Sequence, residues 1–141
     1  MKIHLVMLGK TRRPELRALQ EDYVARLRHF APVEVSELRQ AAALDRLKTE
    51  PTAVWAMLDA AGRELESREF ARWLSGLRER GVRELIFLCG DAEGYPDSWR
   101  ARARERISLG KMTLSHELAR VVLAEQLYRA FALLAGHPYP K

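Results

Sequence analysis

Cysteine occurs once in the 141 residues, at Cys89, so no internal disulfide is available and the fold must stand on its core. That thiol follows the apolar run Leu85-Ile86-Phe87-Leu88, which predicts a buried, reduced side chain and a cytoplasmic protein. No apolar stretch approaches the roughly 18 residues that a membrane-spanning helix needs. Met1-Lys2 leads directly into Ile3-His4-Leu5-Val6-Met7-Leu8, too short for a signal peptide and readable as a strand. Repeats, linkers and low-complexity tracts are missing, so residues 1–141 read as one domain. Histidine is sparse: His4, His29, His116 and His137 show no ligand spacing, and no metal is expected. Gly9-Lys10-Thr11 follows the first strand where a dinucleotide fingerprint would need spaced glycines. A phosphate-loop lysine motif and a nucleophile elbow are also missing.

What is present fits a globular domain: 48% hydrophobic and 30% charged residues. A chain of this length buries about 68–70% of its unfolded surface without staples. The net charge is +5 and the pI about 9.7, a balance that favours an anionic partner. Arg100, Arg102, Arg104 and Arg106 alternate, and on a helix they split into the pairs 100/104 and 102/106. A solvated face competes there with RNA contact. Arg12, Arg13, Arg17, Arg26 and Arg28 around the first helix are similar and add a footprint for phosphates.

The apolar spacing predicts strands at 2–8, 32–38, 52–59, 83–89 and 107–109. It predicts helices at 15–30, 41–48, 68–80, 96–104 and 116–134, with Ser67 as the cap of the third and Gly81 as its stop. Ala60-Ala61-Gly62 reads as a turn. The alternating order argues for an α/β fold, a largely parallel sheet with helices on both faces. In such sheets ligands bind outside the carboxyl ends of the strands. Three segments qualify: Leu58 to Gly62, Gly90 to Gly94, and Ser108 to Leu114. Asp91 and Glu93 fit turn and helix-start roles better than an acid/base pair.

The last helix has apolar residues on too many sides for one face: Val121, Val122, Leu123, Ala124, Leu127, Ala130, Phe131 and Leu134. The sheet covers one side, and a second subunit is a candidate cover for the other. Glu125 and Arg129 stand four apart, suited to an ion pair. Beyond the helix come Gly136-His137-Pro138-Tyr139-Pro140-Lys141, a tail either docked on the surface or tied into a site.

Ser115-His116, Arg120, Leu123, Glu125-Gln126, Tyr128-Arg129-Ala130 and His137-Pro138-Tyr139 together closely resemble the ribosomal large-subunit methyltransferase H family. These are 23S rRNA pseudouridine-N3 methyltransferases of the SPOUT superfamily, and the likeness spans essentially the whole chain. It implies a C-terminal trefoil knot, a homodimer, and S-adenosyl-L-methionine held by Leu58, Gly90, Leu109, Gly110, Lys111, Met112, Thr113 and Leu114. It implies a pseudouridine substrate within 23S rRNA of the assembled ribosome, with no membrane and no metal. Under this resemblance His137 or Tyr139 assists deprotonation or orients the base, and Arg129 binds phosphate or steadies the imide anion. His137-Pro138-Tyr139 is expected over the methyl group. Two positions depart from the family pattern: Asp91-Ala92 replaces a common glycine-proline, and Pro140 replaces a common histidine. The chain is also shorter than many members, with the gap between residues 38 and 52. A non-catalytic RNA- or ribosome-binding factor is the alternative.

Overall fold

The computed structural model describes residues 1–139; Pro140, one of the two departures, lies outside them. In chain order the elements are β1 (Lys2–Leu8), α1 (Pro14–Leu27), β2 (Val33–Leu38), a short 3-10 helix (Ala41–Arg46), β3 (Val54–Glu64) and α2 (Ser67–Glu79). They continue with β4 (Glu84–Cys89), α3 (Asp97–Arg102), β5 (Glu105–Ser108) and α4 (His116–Leu134). The five strands form one sheet in the order β2-β1-β4-β3-β5, with every pairing parallel.

The two central strands are apolar on both sides because both sides are covered. Ile3, Leu5 and Met7 of β1 and Leu85, Phe87 and Cys89 of β4 face α1, α2 and α4. Val6, Leu8, Ile86 and Leu88 face the opposite way, against Leu44 of the 3-10 helix and Trp99 of α3. Each fully buried aliphatic side chain contributes about 1.5–3 kcal/mol. The second layer is thin, and a part-buried hydrogen bond ties its two pieces together: Trp99 Nε1 donates to the Ala41 carbonyl at 3.0 Å, with Arg102 and Asp45 in contact at 3.5 Å outside it.

Three local expectations need correction. Ala60-Ala61-Gly62 does not end β3; the strand runs on to Glu64 with a bulge between Leu58 and Arg63, and both of those residues align with Ile107. The Asp59 carboxylate accepts from the Ala61 N–H at 2.9 Å, so the turn chemistry is present but sits inside the strand. Ser67 is not the cap of α2: Glu66 and Glu69 close a reciprocal capping box. The Ser67 hydroxyl instead donates to Gln126 Oε1 on α4 at 2.8 Å. The helices predicted at 41–48 and 96–104 are shorter than expected, and the second stops early because β5 begins at Glu105.

Helix α4 packs on both α1 and α2. It leaves outward a stripe that includes Leu118, Val122, Glu125, Arg129 and Leu133, with Leu118 37% and Leu133 44% exposed.

Candidate active site

The carboxyl ends of β3, β4 and β5 open on a cleft of about 170 Å³. Leu58, Asp59 and Ala60 form one wall, Gly90, Asp91, Gly94 and Tyr95 a second, and Leu109 to Leu114 with His116 and Ala119 the third. Three segments far apart in sequence thus converge because parallel strands all end on one side. Leu58, Gly90, Leu109, Gly110, Met112, Thr113 and Leu114 all line the cleft; Lys111 alone of the expected set does not, and its side chain is exposed.

The second wall closes on itself. Asp91 and Gly94 exchange backbone hydrogen bonds at 3.2 and 3.0 Å, and Asp91 Oδ1 accepts from the Glu93 N–H at 2.9 Å. Asp91-Ala92 therefore supports a tight turn through the aspartate side chain. Gly90 must be glycine, since a Cβ there would lie 2.6 Å from the Gly94 carbonyl oxygen. On the third wall, the buried Ser108 hydroxyl donates to the Gly110 carbonyl at 2.9 Å and accepts its N–H at 3.1 Å.

Beneath the cleft lies Arg120, with no exposed surface. Its Nη2 donates to the Leu8 carbonyl at 2.8 Å and the Gly90 carbonyl at 3.1 Å. Its Nη1 donates to the Gly9 carbonyl at 3.1 Å and to Thr11 Oγ1 at 3.2 Å. One cation thereby ties the ends of β1 and β4 to α4. One turn earlier, the Glu117 carboxylate accepts the Arg12 and Arg13 backbone N–H groups at 2.9 and 3.0 Å. Burial disfavours the Glu117 charge, yet those bonds hold its pKa below the ordinary carboxylate value.

Neither Cys89 nor Tyr95 is a base or nucleophile. Burial pushes the Cys89 thiol up to about 12. Burial likewise raises the Tyr95 phenol, whose hydroxyl donates to the Leu88 carbonyl at 2.9 Å. Among the described residues no Lys or Arg lines the cleft, whereas Asp59 and Asp91 do, with Arg106 3.5 Å from the Asp59 carboxylate.

The tail lies elsewhere. After α4, Gly136 at φ +69° turns the chain, with His137 N–H donating to the Ala132 carbonyl at 2.8 Å and Gly136 N–H to Leu133 at 3.1 Å. His137 meets the Phe30 ring edge-on at 6.0 Å, and Tyr139 packs on Tyr128 at 4.7 Å. Arg129 bonds Glu125 at 2.8 Å and sits 4.6 Å from the centre of the Tyr139 ring. Burial and a hydrogen bond with Glu125 raise the Tyr139 phenol above its ordinary value. His137, Tyr139 and Arg129 are thus gathered together, and none of them lines the cleft. The 19 residues of α4 span about 28 Å at ~1.5 Å per residue. The expected position of His137-Pro138-Tyr139 over the methyl group is not one that places these side chains in the lining of the same subunit's cleft.

A family model described as "Predicted SPOUT methyltransferase" matches residues 1–140. The chain belongs to the SPOUT methyltransferase family. It is 44% identical over 139 residues to "Ribosomal RNA large subunit methyltransferase H" of Solibacter usitatus (strain Ellin6076), covering 99% of both chains. It is 40% identical to the protein of that name from Koribacter versatilis (strain Ellin345), over 99% of this chain and 97% of the relative. A probable methylase family protein from Haemophilus influenzae Rd KW20 shares the fold. Its TM-score is 0.60 at 12% identity, over 99% of this chain and 72% of that one.

The cleft suits the methyl donor such a SPOUT protein would take. Apolar side chains and strand-end backbone groups offer surfaces for a purine and hydrogen bonds for a ribose. The same lining disfavours a pyrophosphate-bearing dinucleotide. Sequence reasoning selected the segments holding Asp59, Ala60, Asp91 and Gly94 but missed Cys89, Tyr95, His116 and Ala119. His116 was legible as the first residue of α4 beside a ligand loop; Ala119 becomes a wall only through the helix's orientation.

Proposed function

We propose that the chain is an S-adenosyl-L-methionine-dependent methyltransferase that modifies N3 of a pseudouridine in 23S rRNA of the assembled ribosome. The observation that carries this reading is the cleft built at three strand ends, in a chain 44% identical to a large-subunit rRNA methyltransferase. The family also implies a trefoil knot; the return of α4 from edge strand β5 to the ends of β1 and β4, through Arg120, supports it. A cytoplasmic location fits the single reduced thiol.

When bound, the cofactor supplies an electrophilic methyl group on a sulfonium. Leu58, Gly90 and the run from Leu109 to Leu114 hold and orient it, with Lys111 at the solvent edge. The pseudouridine N3 is an imide nitrogen whose proton must leave before or during transfer. His137 is the candidate acceptor of that proton. Tyr139, whose phenol holds its proton more tightly than usual, orients the base as a hydrogen-bond donor. Arg129 steadies the imide anion or a neighbouring phosphate. Positioning of two bound reactants supplies most of the acceleration.

Because none of His137, Tyr139 and Arg129 lines its own subunit's cleft, we assign the working unit to a homodimer in which one subunit's tail serves the partner's cofactor. Leu118 and Leu133, both exposed on the outward stripe of α4, support a face for a second copy of the chain. The decisive experiment is methyl transfer to purified ribosomes with the product nucleoside mapped by mass spectrometry. Calorimetric binding of S-adenosylmethionine accompanies it. Failure of both binding and transfer overturns the reading; binding without transfer favours a non-catalytic ribosome-binding factor. Mixed dimers of a Gly90→Val subunit with a His137→Ala/Tyr139→Phe subunit should recover activity that neither homodimer has.

A further inference from the structure

The basic character of the chain has a location that its arginine-rich segment does not reveal. Arg100 and Arg106 lie 3.9 and 3.5 Å from the Asp59 carboxylate, and Arg102 lies 3.5 Å from Asp45 and 4.6 Å from the centre of the Trp55 ring. Around α1, Arg17 forks onto Glu37 with two bonds of 3.0 Å, Arg26 pairs with Asp22, and Arg28 bonds the Val33 carbonyl. These cations are spent within the molecule.

Lys10, Arg12 and Arg39 are exposed cations, as Arg13, Lys48 and Arg104 also are, and they differ in sharing one cleft. Among the described residues none has an ion pair, and all are exposed. Lys10 and Arg12 follow β1, Arg39 follows the neighbouring strand β2, and the two strand ends bring them to one cleft of about 490 Å³. That cleft has no apolar side chain in its lining beyond Gly9, which disfavours a lipid chain or a protein hot spot. It continues into a second of about 360 Å³ whose lining adds Leu8, Asp91, Ala92, Glu93, His116 and Glu117, the last carboxylate held by the Arg12 and Arg13 N–H groups. Asp91 and His116 also line the proposed cofactor cleft, so the basic groove and the cofactor mouth share a wall. The backbone that carries the cations is fixed: Glu117 caps the Arg12 and Arg13 N–H groups, and Arg120 holds the Leu8 and Gly9 carbonyls.

We propose that Lys10, Arg12 and Arg39 form the docking groove for the phosphodiester backbone of the RNA substrate. This deepens the methyltransferase reading and rests on it. Phosphates run along the β1 and β2 ends, away from Asp91 and Glu93, while the target base turns past His116 toward the cofactor cleft. Such contacts position the RNA without reading its sequence. Neutralising a phosphate contact flattens the dependence of log affinity on log salt by roughly 0.7–0.9 per contact.

The test is co-sedimentation of the full-length protein with purified ribosomes across a salt series, alongside KM and kcat for methyl transfer. Lys10→Gln/Arg12→Gln/Arg39→Gln should flatten the salt slope by roughly 2–3 units. It should raise KM for ribosomes about tenfold or more, with kcat and S-adenosylmethionine binding little changed. Arg12→Lys/Arg39→Lys should keep the wild-type slope. Arg46→Gln/Arg102→Gln/Arg104→Gln, an equal loss of charge beside the opposite layer, should leave KM and slope near wild type. An unchanged slope in the first variant, or an equal effect in the last, overturns the groove. A wild type whose ribosome binding is nearly independent of salt also overturns it and points to a protein contact. Sedimentation reads the groove even if no methyl is transferred, so its failure and that of the methyltransferase reading are separable.

Discussion

Replacing Arg120 with methionine removes a single cation on which two strand ends and the cofactor cleft depend. Its guanidinium makes four hydrogen bonds, three to carbonyls and one to Thr11, at 2.8 to 3.2 Å. Charge-assisted bonds of this kind contribute about 1.5–3 kcal/mol each, or at least ~6 kcal/mol together. Burying the cation costs several kcal/mol in return, and Nε has no partner among the described residues. The net loss in Arg120→Met is expected to be about 3 kcal/mol, lowering Tm by roughly 6–12 °C for a chain of this size. Lysine should recover only part, since its point charge cannot span carbonyls from two strands. Urea unfolding read by circular dichroism gives the stability, and calorimetry gives S-adenosylmethionine affinity. Affinity should fall about tenfold even where the protein remains folded, because the Gly90 carbonyl is released. That factor corresponds to ~1.4 kcal/mol. A variant within ~1 kcal/mol of wild type, with unchanged affinity, would refute the assignment of Arg120 as the clamp beneath the site.

Gly90→Ala should abolish measurable cofactor binding while the sheet stays folded, since the added carbon meets the Gly94 carbonyl at 2.6 Å; calorimetry and far-ultraviolet dichroism separate the two effects. His4 is buried against Ser36 at 2.8 Å and Glu84 at 3.3 Å, and burial lowers its pKa despite the pull of Glu34 and Glu84. The unfolded chain therefore takes up the proton first, so stability should decline as pH falls below about 6.5, and His4→Gln should flatten that limb in a urea series from pH 8 to 5. Glu37 is desolvated, but its bonds from Arg17 and Thr11 still lower its pKa. Its stabilisation is present above the ordinary glutamate value and lost as pH drops through the folded one. Glu37→Gln should cost about 1 kcal/mol at pH 7 and little near pH 3, by the same measurement. His137→Ala should reduce kcat for ribosome methylation by about 10²-fold or more without weakening cofactor binding, and an unchanged kcat would remove the tail from the chemistry.

The layering was readable because β1 and β4 are mostly apolar, interrupted only by Lys2 and His4 in β1 and Glu84 in β4, as parallel strands covered on both faces tend to be. The strand-end rule then reached most of the cleft without any knowledge of contacts. Other features depended on distances that periodicity does not carry. Nothing local distinguishes Arg120 from its neighbours on a helix, since its partners lie 30 to 112 residues away. Lys111 shares a loop with Leu109, Gly110 and Met112, but which side chains of a loop turn inward is decided by the packing around it. The residue types of the tail suggested a site, but which side chains line the cleft is decided by packing that residue type does not carry.

The clamp at Arg120 also bears on the order of events during synthesis. All strands precede α4 in the chain, and a nascent sheet can pair β1 with β2 and β4 before that helix exists. The carbonyls of Leu8, Gly9 and Gly90 then wait for a donor made later, and the third wall of the cleft waits with them. Ligand binding is therefore the last property the growing chain acquires. A chain shortened before Arg120 would collapse into a sheet able to hold neither cofactor nor the ends of its own central strands.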